Sequence, residues 1–182
     1  MNTQRPRPRT VAQPPSAVSL ARTAKAEYQR NLPHMQKPGQ TLFVTFRTWQ
    51  KFLLPASARD LVLQHSLHDH GKKLWMHGAV IMPDHVHLVF TPSTDKRGDA
   101  YGLAELLSGI KGASSHSVNR LLQRKGHVWQ DESFDHVLRS SENIREKVEY
   151  ICQNPVRANL VDREDAYDWL WREWVEGAEE PT

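Results

Sequence analysis

Near the middle of the chain, His85-Val86-His87 has the residue types and spacing of a grip for a metal or a phosphate. Successive side chains of a β-strand point to opposite faces, so the two imidazoles share one face while Val86, Leu88 and Phe90 share the other. Two imidazoles on one rigid strand can hold a divalent cation or a phosphate. Far downstream, Glu142 to Asn154 reads as a helix. At about 100° per residue, Ile144, Val148, Ile151 and Cys152 form an apolar stripe roughly 100° wide, and Tyr150 lies about 140° from its centre. Tyr150 shares its side with Asn143, Lys147 and Asn154. Its phenol, with an ordinary pKa of about 10, is a weak nucleophile unless its surroundings activate it. His85, His87 and the Asn154 amide, four residues past Tyr150, are together a candidate ligand set for Mg²⁺ or Mn²⁺, with Zn²⁺ also compatible. A phosphodiester bound to such an ion would be polarised for in-line attack. Strand histidines are also often bonded only to neighbours, and a tyrosine off the apolar stripe is often a plain surface residue. The residues alone leave both readings open.

These groups need elements to position them. Thr41 to Arg47 is rich in β-branched and aromatic residues and predicts a first strand. Pro55 opens a helix with Leu61, Val62, Leu63, Ser66 and Leu67 at helical spacing, stopping near Gly71. Leu74 to Met82 and His85 to Thr91 predict a hairpin closed by Pro83-Asp84. A long helix is expected from Leu103 to Arg124, then an extended segment from Val128 through Phe134 to Leu138. Ser140 or Ser141 is the expected cap of the final helix, which Pro155 limits by disfavouring helical geometry at Asn154. The order is βαββαβ plus one helix. It predicts an α+β, ferredoxin-like antiparallel sheet with the tyrosine on the added C-terminal helix.

Composition sets the wider bounds. The chain has 182 residues, 38% hydrophobic and 25% charged, as expected of one domain with tails. The net charge of +3 is unevenly spread. Residues 1–30 carry six Lys/Arg against one Glu, together with Pro6, Pro8, Pro14 and Pro15, and read as a flexible basic arm. Residues 31–160, the expected catalytic domain, carry sixteen Lys/Arg against twelve Asp/Glu. Residues 161–182 carry two Arg against eight Asp/Glu, a Trp-containing acidic tail. A basic arm and a mildly basic body suit a polyanion. Lys111, Arg120, Arg124 and Lys125 along the long helix are candidate phosphate contacts, as are Arg5, Arg7 and Arg9 in the arm. No apolar run of about 18 residues predicts a membrane span, and Met1 to Thr10 lacks the apolar core of a secretory signal. Cys152 is the single cysteine. No internal disulfide or Cys-based zinc site follows, which suits the cytoplasm. Cys152 and Trp129 read as core residues, and His136 as structural.

His85-Val86-His87, the run Val128-Trp129-Gln130 with Ser133-Phe134-Asp135-His136-Val137-Leu138-Arg139, and Tyr150-Ile151-Cys152-Gln153-Asn154-Pro155-Val156 occur in that order. Together they resemble the REP-associated tyrosine transposases, bacterial relatives of the single-tyrosine insertion-sequence transposases within the His-hydrophobic-His endonuclease superfamily. The likeness covers roughly residues 31–160. It implies single-stranded DNA with hairpin structure as partner, and a divalent metal as cofactor. It further implies cleavage and rejoining near palindromic hairpins through a 5′-phosphotyrosine intermediate. By position, His85 and His87 match the family's metal pair and Tyr150 its nucleophile. Asn154 falls where relatives often place a longer Gln as a further ligand. Monomer and homodimer are both compatible with the likeness. Two other readings stand beside it. A histidine-triad-like nucleotidyl hydrolase would need a third histidine where this chain has Val89. A non-catalytic nucleic-acid-binding module on a ferredoxin-like sheet would need a stacking consensus that is not evident.

Overall fold

The computed structural model describes residues 38–139 and 142–174. The basic arm, with Arg5, Arg7 and Arg9, lies outside the described residues, as do Ser140 and Ser141. Strands β1 (Leu42–Thr48), β2 (Leu74–Ile81), β3 (His85–Pro92), β4 (Trp129–Val137) and β5 (Leu170–Arg172) form one sheet, with helices α1 (Ala56–Leu67), α2 (Leu103–Leu121), α3 (Ile144–Cys152) and the short α4 (Asn154–Arg157). The strand order is β4-β1-β3-β2-β5, and every pairing is antiparallel. The first four strands give the expected ferredoxin-like α+β core.

The sheet is covered on both faces. Two crossovers of one hand, β1-α1-β2 and β3-α2-β4, bring α1 and α2 to the same face. There Leu42, Val44, Phe46, Met76, Val86, Leu88 and Phe90 meet Val62, Leu106, Ile110 and Val118 in the main core. Trp129 closes one end, its ring edge-on to Phe46 at 4.8 Å and its Nε1–H donating to the buried Ser114 Oγ at 3.0 Å. The opposite face receives α3, whose Val148, Ile151 and Cys152 pack on Val80, Met82 and Val89. Gly78 makes this approach possible. A Cβ there would stand 2.8 Å from Val148 Cγ1, closer than packed atoms tolerate.

A bulge between Met76 and Gly78 shifts the register of β2 against β3. With strict alternation, Ala79 and Ile81 would turn away from the face that Leu74 and Met76 occupy. The extra residue restores them to the main core and sends Gly78, Val80 and Met82 toward α3.

Two boundaries differ from expectation. The cap of α3 is Asn143, whose side-chain oxygen accepts from the Arg145 backbone N–H at 2.8 Å. Pro155 does not simply end that helix: α3 closes at Cys152, and Asn154 starts α4 with Pro155 in its first turn, where a missing N–H costs nothing. Residues 161–174, within the stretch set aside as a tail, contribute β5 to the sheet. Ile81 N–H donates to Trp169 O at 2.9 Å, and the Tyr167 hydroxyl donates to Ile81 O at 2.8 Å. The acidic composition of residues 161–182 gives no sign of this strand.

Candidate functional site

His85 and His87 stand on the α3 face of β3, because the apolar Val86, Leu88 and Phe90 claim the other side. Their rings meet edge to face with centroids 4.7 Å apart. Each is held through Nδ1. His85 Nδ1–H donates to Asp84 Oδ1 at 2.6 Å, and His87 Nδ1 shares a hydrogen bond with Thr45 Oγ1 at 2.8 Å. A carboxylate only accepts, so in the neutral ring the proton sits on Nδ1 and Nε2 keeps its lone pair. The threonine hydroxyl allows the same for His87. Burial, with lesser help from His85, Arg47 and Arg157, pushes the His87 imidazole down to about 3. At neutral pH it is uncharged, the form that ligates a metal.

Tyr150 is 51% exposed on α3 and reaches the same locality through a run of ring contacts. Phe43 stacks on His87 at 5.9 Å between centroids. Lys147 Nζ lies 5.3 Å from the Phe43 ring centre and 5.5 Å from that of Tyr150. On the other side, the Arg157 guanidinium sits 4.3 Å from the Tyr150 ring centre and donates to the Tyr150 carbonyl oxygen. Arg157 is near enough to bear on His87 as well. Arg47 lies 4.0 Å from Asp84. Three cations, Arg47, Lys147 and Arg157, thus surround two neutral-capable imidazoles and a phenol. A hollow lined by Glu149, Tyr150, Gln153, Arg157 and Glu164 opens beside the phenol. The arrangement suits a phosphodiester anion presented to a tyrosine oxygen.

Asn154 begins α4, half-buried, its Nδ2 buried without a hydrogen-bond partner. Such an orphaned N–H donor is costly to leave unpaired and is a group that an acceptor such as a phosphate oxygen would satisfy. Among the described residues, no group of three or more His, Cys, Asp or Glu side chains could hold a metal. Any ion at this site would therefore depend on the two imidazoles plus donors of another kind, among which the Asn154 amide oxygen is a candidate.

The structure brings His85, His87 and Tyr150 to one face and leaves the helix cations elsewhere. Lys111, Arg120, Arg124 and Lys125 belong to α2 and its end, on the opposite face of the sheet. Lys111 Nζ donates to Gln130 O at 2.7 Å and Asp131 O at 3.0 Å, fastening α2 to β4. Arg124 lies 4.0 Å from the Phe52 ring centre and donates to His127 O at 3.1 Å. Arg120 and Lys125 are exposed on that same layer. The expected structural residues behave as such: His136 bonds Glu142 at 3.1 Å, and Cys152 and Trp129 are buried.

Sequence reasoning missed Asp84, Thr45, Phe43, Lys147 and Arg157 as parts of the site. Arg157 was recoverable, since it lies seven residues, about two helical turns, beyond Tyr150 and so on its side. Treating Pro155 as a terminator hid it. Thr45 follows from strand pairing, because it sits opposite His87 across β1 and β3.

A ferredoxin-like sheet with a two-histidine strand on one face and a tyrosine-bearing helix packed against it defines a recognisable fold class. The fold is the one found in REP-associated tyrosine transposases. It matches a solved structure of such a transposase bound to a REP hairpin with a TM-score of 0.61 at 20% identity, covering 80% of this chain and 81% of that one. The sequence is also 28% identical over 94 residues to a protein of Haemophilus influenzae named as a REP-associated tyrosine transposase. That match covers 49% of this chain and 52% of the relative, so the alignment spans about half the length of the curated protein. A crystal structure from Deinococcus radiodurans, described as a transposase, matches at a TM-score of 0.40 and 18% identity, over 66% of this chain and 96% of that one; it carries no argument. No family model matches the sequence. The likeness to REP-associated tyrosine transposases therefore holds in sequence as well as fold.

Proposed function

We propose that this protein is a single-stranded DNA strand transferase that cleaves and rejoins DNA beside REP-type hairpins, with Tyr150 as nucleophile. The observation that carries this reading is the placing of Tyr150 on the same sheet face as His85 and His87, linked to them through Phe43 and Lys147. The named relatives, one of them bound to a REP hairpin, support the choice of DNA. Among the described residues no helix is long and apolar enough to cross a membrane. A cytoplasmic site of action, where chromosomal DNA lies, is part of the proposal.

In the proposed step, the Tyr150 phenolic oxygen forms a bond to the phosphorus and loses its proton to solvent. The P–O3′ bond breaks, and the departing 3′ oxygen takes up a proton. The 5′-phosphate stays esterified to Tyr150, so attack by a 3′-hydroxyl on that ester re-forms a phosphodiester and frees the phenol. Arg157 and Lys147 hold the anionic strand against the ring and offset the charge that grows on the phosphoryl oxygens. Asp84 and Thr45 keep both imidazoles turned with Nε2 outward. His85 and His87, with Asn154 as a candidate third donor, would hold Mg²⁺ or Mn²⁺. Such an ion supplies Lewis-acid polarisation of the phosphoryl group.

The test is incubation of the full chain with Mg²⁺ or Mn²⁺ and a labelled single-stranded oligonucleotide carrying a REP-type hairpin. A denaturant-stable protein–DNA adduct is expected. It disappears in Tyr150→Phe and falls by several orders of magnitude in His87→Ala, both variants retaining the native circular dichroism spectrum. An adduct that persists in Tyr150→Phe sinks the nucleophile assignment.

A further inference from the structure

We infer that Phe134, together with Phe43, forms a stacking subsite for an unpaired nucleobase flanking the phosphate held at the histidine pair. The inference rests on the reading of the site as one that handles single-stranded DNA.

Phe134 is 58% exposed although it is a large apolar side chain in a regular strand. Its position is fixed by pairing. It lies opposite Thr45, which on its other flank lies opposite His87. Phe134, Thr45 and His87 therefore form one row across β4, β1 and β3, all on the α3 face. At the usual strand spacing, Phe134 and His87 are about 10 Å apart along that row. The Phe134 ring meets Phe43 at 6.1 Å with an interplanar angle of 66°, and Phe43 in turn lies parallel to His87 at 19°. The result is a continuous aromatic floor from the sheet edge to the imidazoles.

Three features favour a nucleobase over an apolar protein segment as occupant. The floor runs directly into the proposed phosphoryl site. Lys147 Nζ stands over Phe43 at 5.3 Å from its ring centre, with the Glu142 carboxylate as an electrostatic neighbour. The other nearby cation, Arg157, donates to backbone carbonyls and lies over the Tyr150 ring. An aromatic face flanked by basic side chains is how single strands are held without regard to sequence. An apolar peptide would strip water from those cations and return no anionic partner.

The experiment uses the full chain carrying Tyr150→Phe, so that binding is read without turnover. Affinity for a hairpin oligonucleotide with single-stranded flanks is measured by fluorescence anisotropy, with an abasic residue walked through the flank. Phe134→Ala is expected to weaken binding roughly 5- to 150-fold, the range that loss of one base–aromatic stack gives. Phe134→Trp should retain affinity, its fluorescence quenched by the intact oligonucleotide. One abasic position should weaken binding to Phe134 yet make no further difference in Phe134→Ala. The salt slope should be unchanged by Phe134→Ala and reduced by about 0.7 in Lys147→Gln. Equal affinities for Phe134, Phe134→Ala and Phe134→Leu would overturn the subsite, as would additive effects at every abasic position. The two readings fail separately. An adduct in the wild type with no effect of Phe134→Ala removes the stacking site alone. The abasic coupling without any adduct removes the transfer chemistry alone.

Discussion

Cys152 shows what a single residue's surroundings decide. It lies fully buried in the smaller core, two residues from Tyr150, and burial, reinforced by Glu164, pushes its thiol up to about 12. Its folded pKa lies above the unfolded value, so the native state keeps a proton that the unfolded chain loses. The corresponding stability is present below about pH 9 and drains away as pH rises toward 12. At pH 8 the native thiol should resist a thiol-disulfide reagent for hours and react within minutes once denaturant is added. Rapid labelling of the folded protein would show the helix to be seated otherwise. At this scale the sequence was a good guide. Core placement of Cys152 and the shared face of His85 and His87 follow from periods of 3.6 and 2, and Trp129 is core as its residue type suggests. What periodicity cannot reveal is a partner on another strand, which is why Thr45 and Phe43 went unread.

Elements raise a different question, namely how high α3 rides above the sheet. Gly78 answers it, since the absent side chain lets Val148 settle against β2. Gly78→Val should cost about 1–3 kcal/mol in unfolding free energy through overpacking. It should also lower the rate of adduct formation more than it lowers DNA affinity, because Tyr150 shifts with the helix relative to the histidines on β3, while Lys147 and Arg157, on α3 and α4, keep their places beside it. Gly78→Ala combined with Val148→Ala is expected to recover much of both losses. Equal losses in the double and single variants, by chemical denaturation and single-turnover kinetics, would rule the contact out as the spacer. The strand and helix order was legible, yet the layer assignment was not drawn from it. A helical wheel tells which side of α2 is polar, not which face of the sheet α2 covers. Crossover handedness would have supplied that, placing Lys111, Arg120, Arg124 and Lys125 away from the histidines.

For the molecule as a whole, the residues after α4 matter more than their acidic composition suggests. Glu164 receives Gln153 Nε2 from the end of α3 and Arg172 from β5 at 2.6 Å, and Arg59 on α1 lies 3.4 Å from the Trp169 ring centre. One segment therefore touches both layers and covers the edge of β2. A chain ended at Val161 should melt at markedly lower temperature and associate with rising concentration, as an uncovered strand edge does; calorimetry and light scattering would show it. An unchanged melting point would mean the segment is dispensable. Charge counting marked these residues as a tail because eight Asp and Glu stand against two Arg in residues 161–182. The tryptophans and Tyr167, packed against the cores, were the better guide.

The bulge in β2 carries a consequence for how such a chain can change over generations. Because one extra residue at Met76–Gly78 sets the parity of everything after it, a single deletion there would turn Val80 and Gly78 to the wrong face and carry the seat of α3 with them. Substitutions along this strand can be absorbed one at a time, but changes of length cannot. Lineages that retain the chemistry should therefore gain and lose residues in the loop between β3 and α2, and keep the count through β2 fixed.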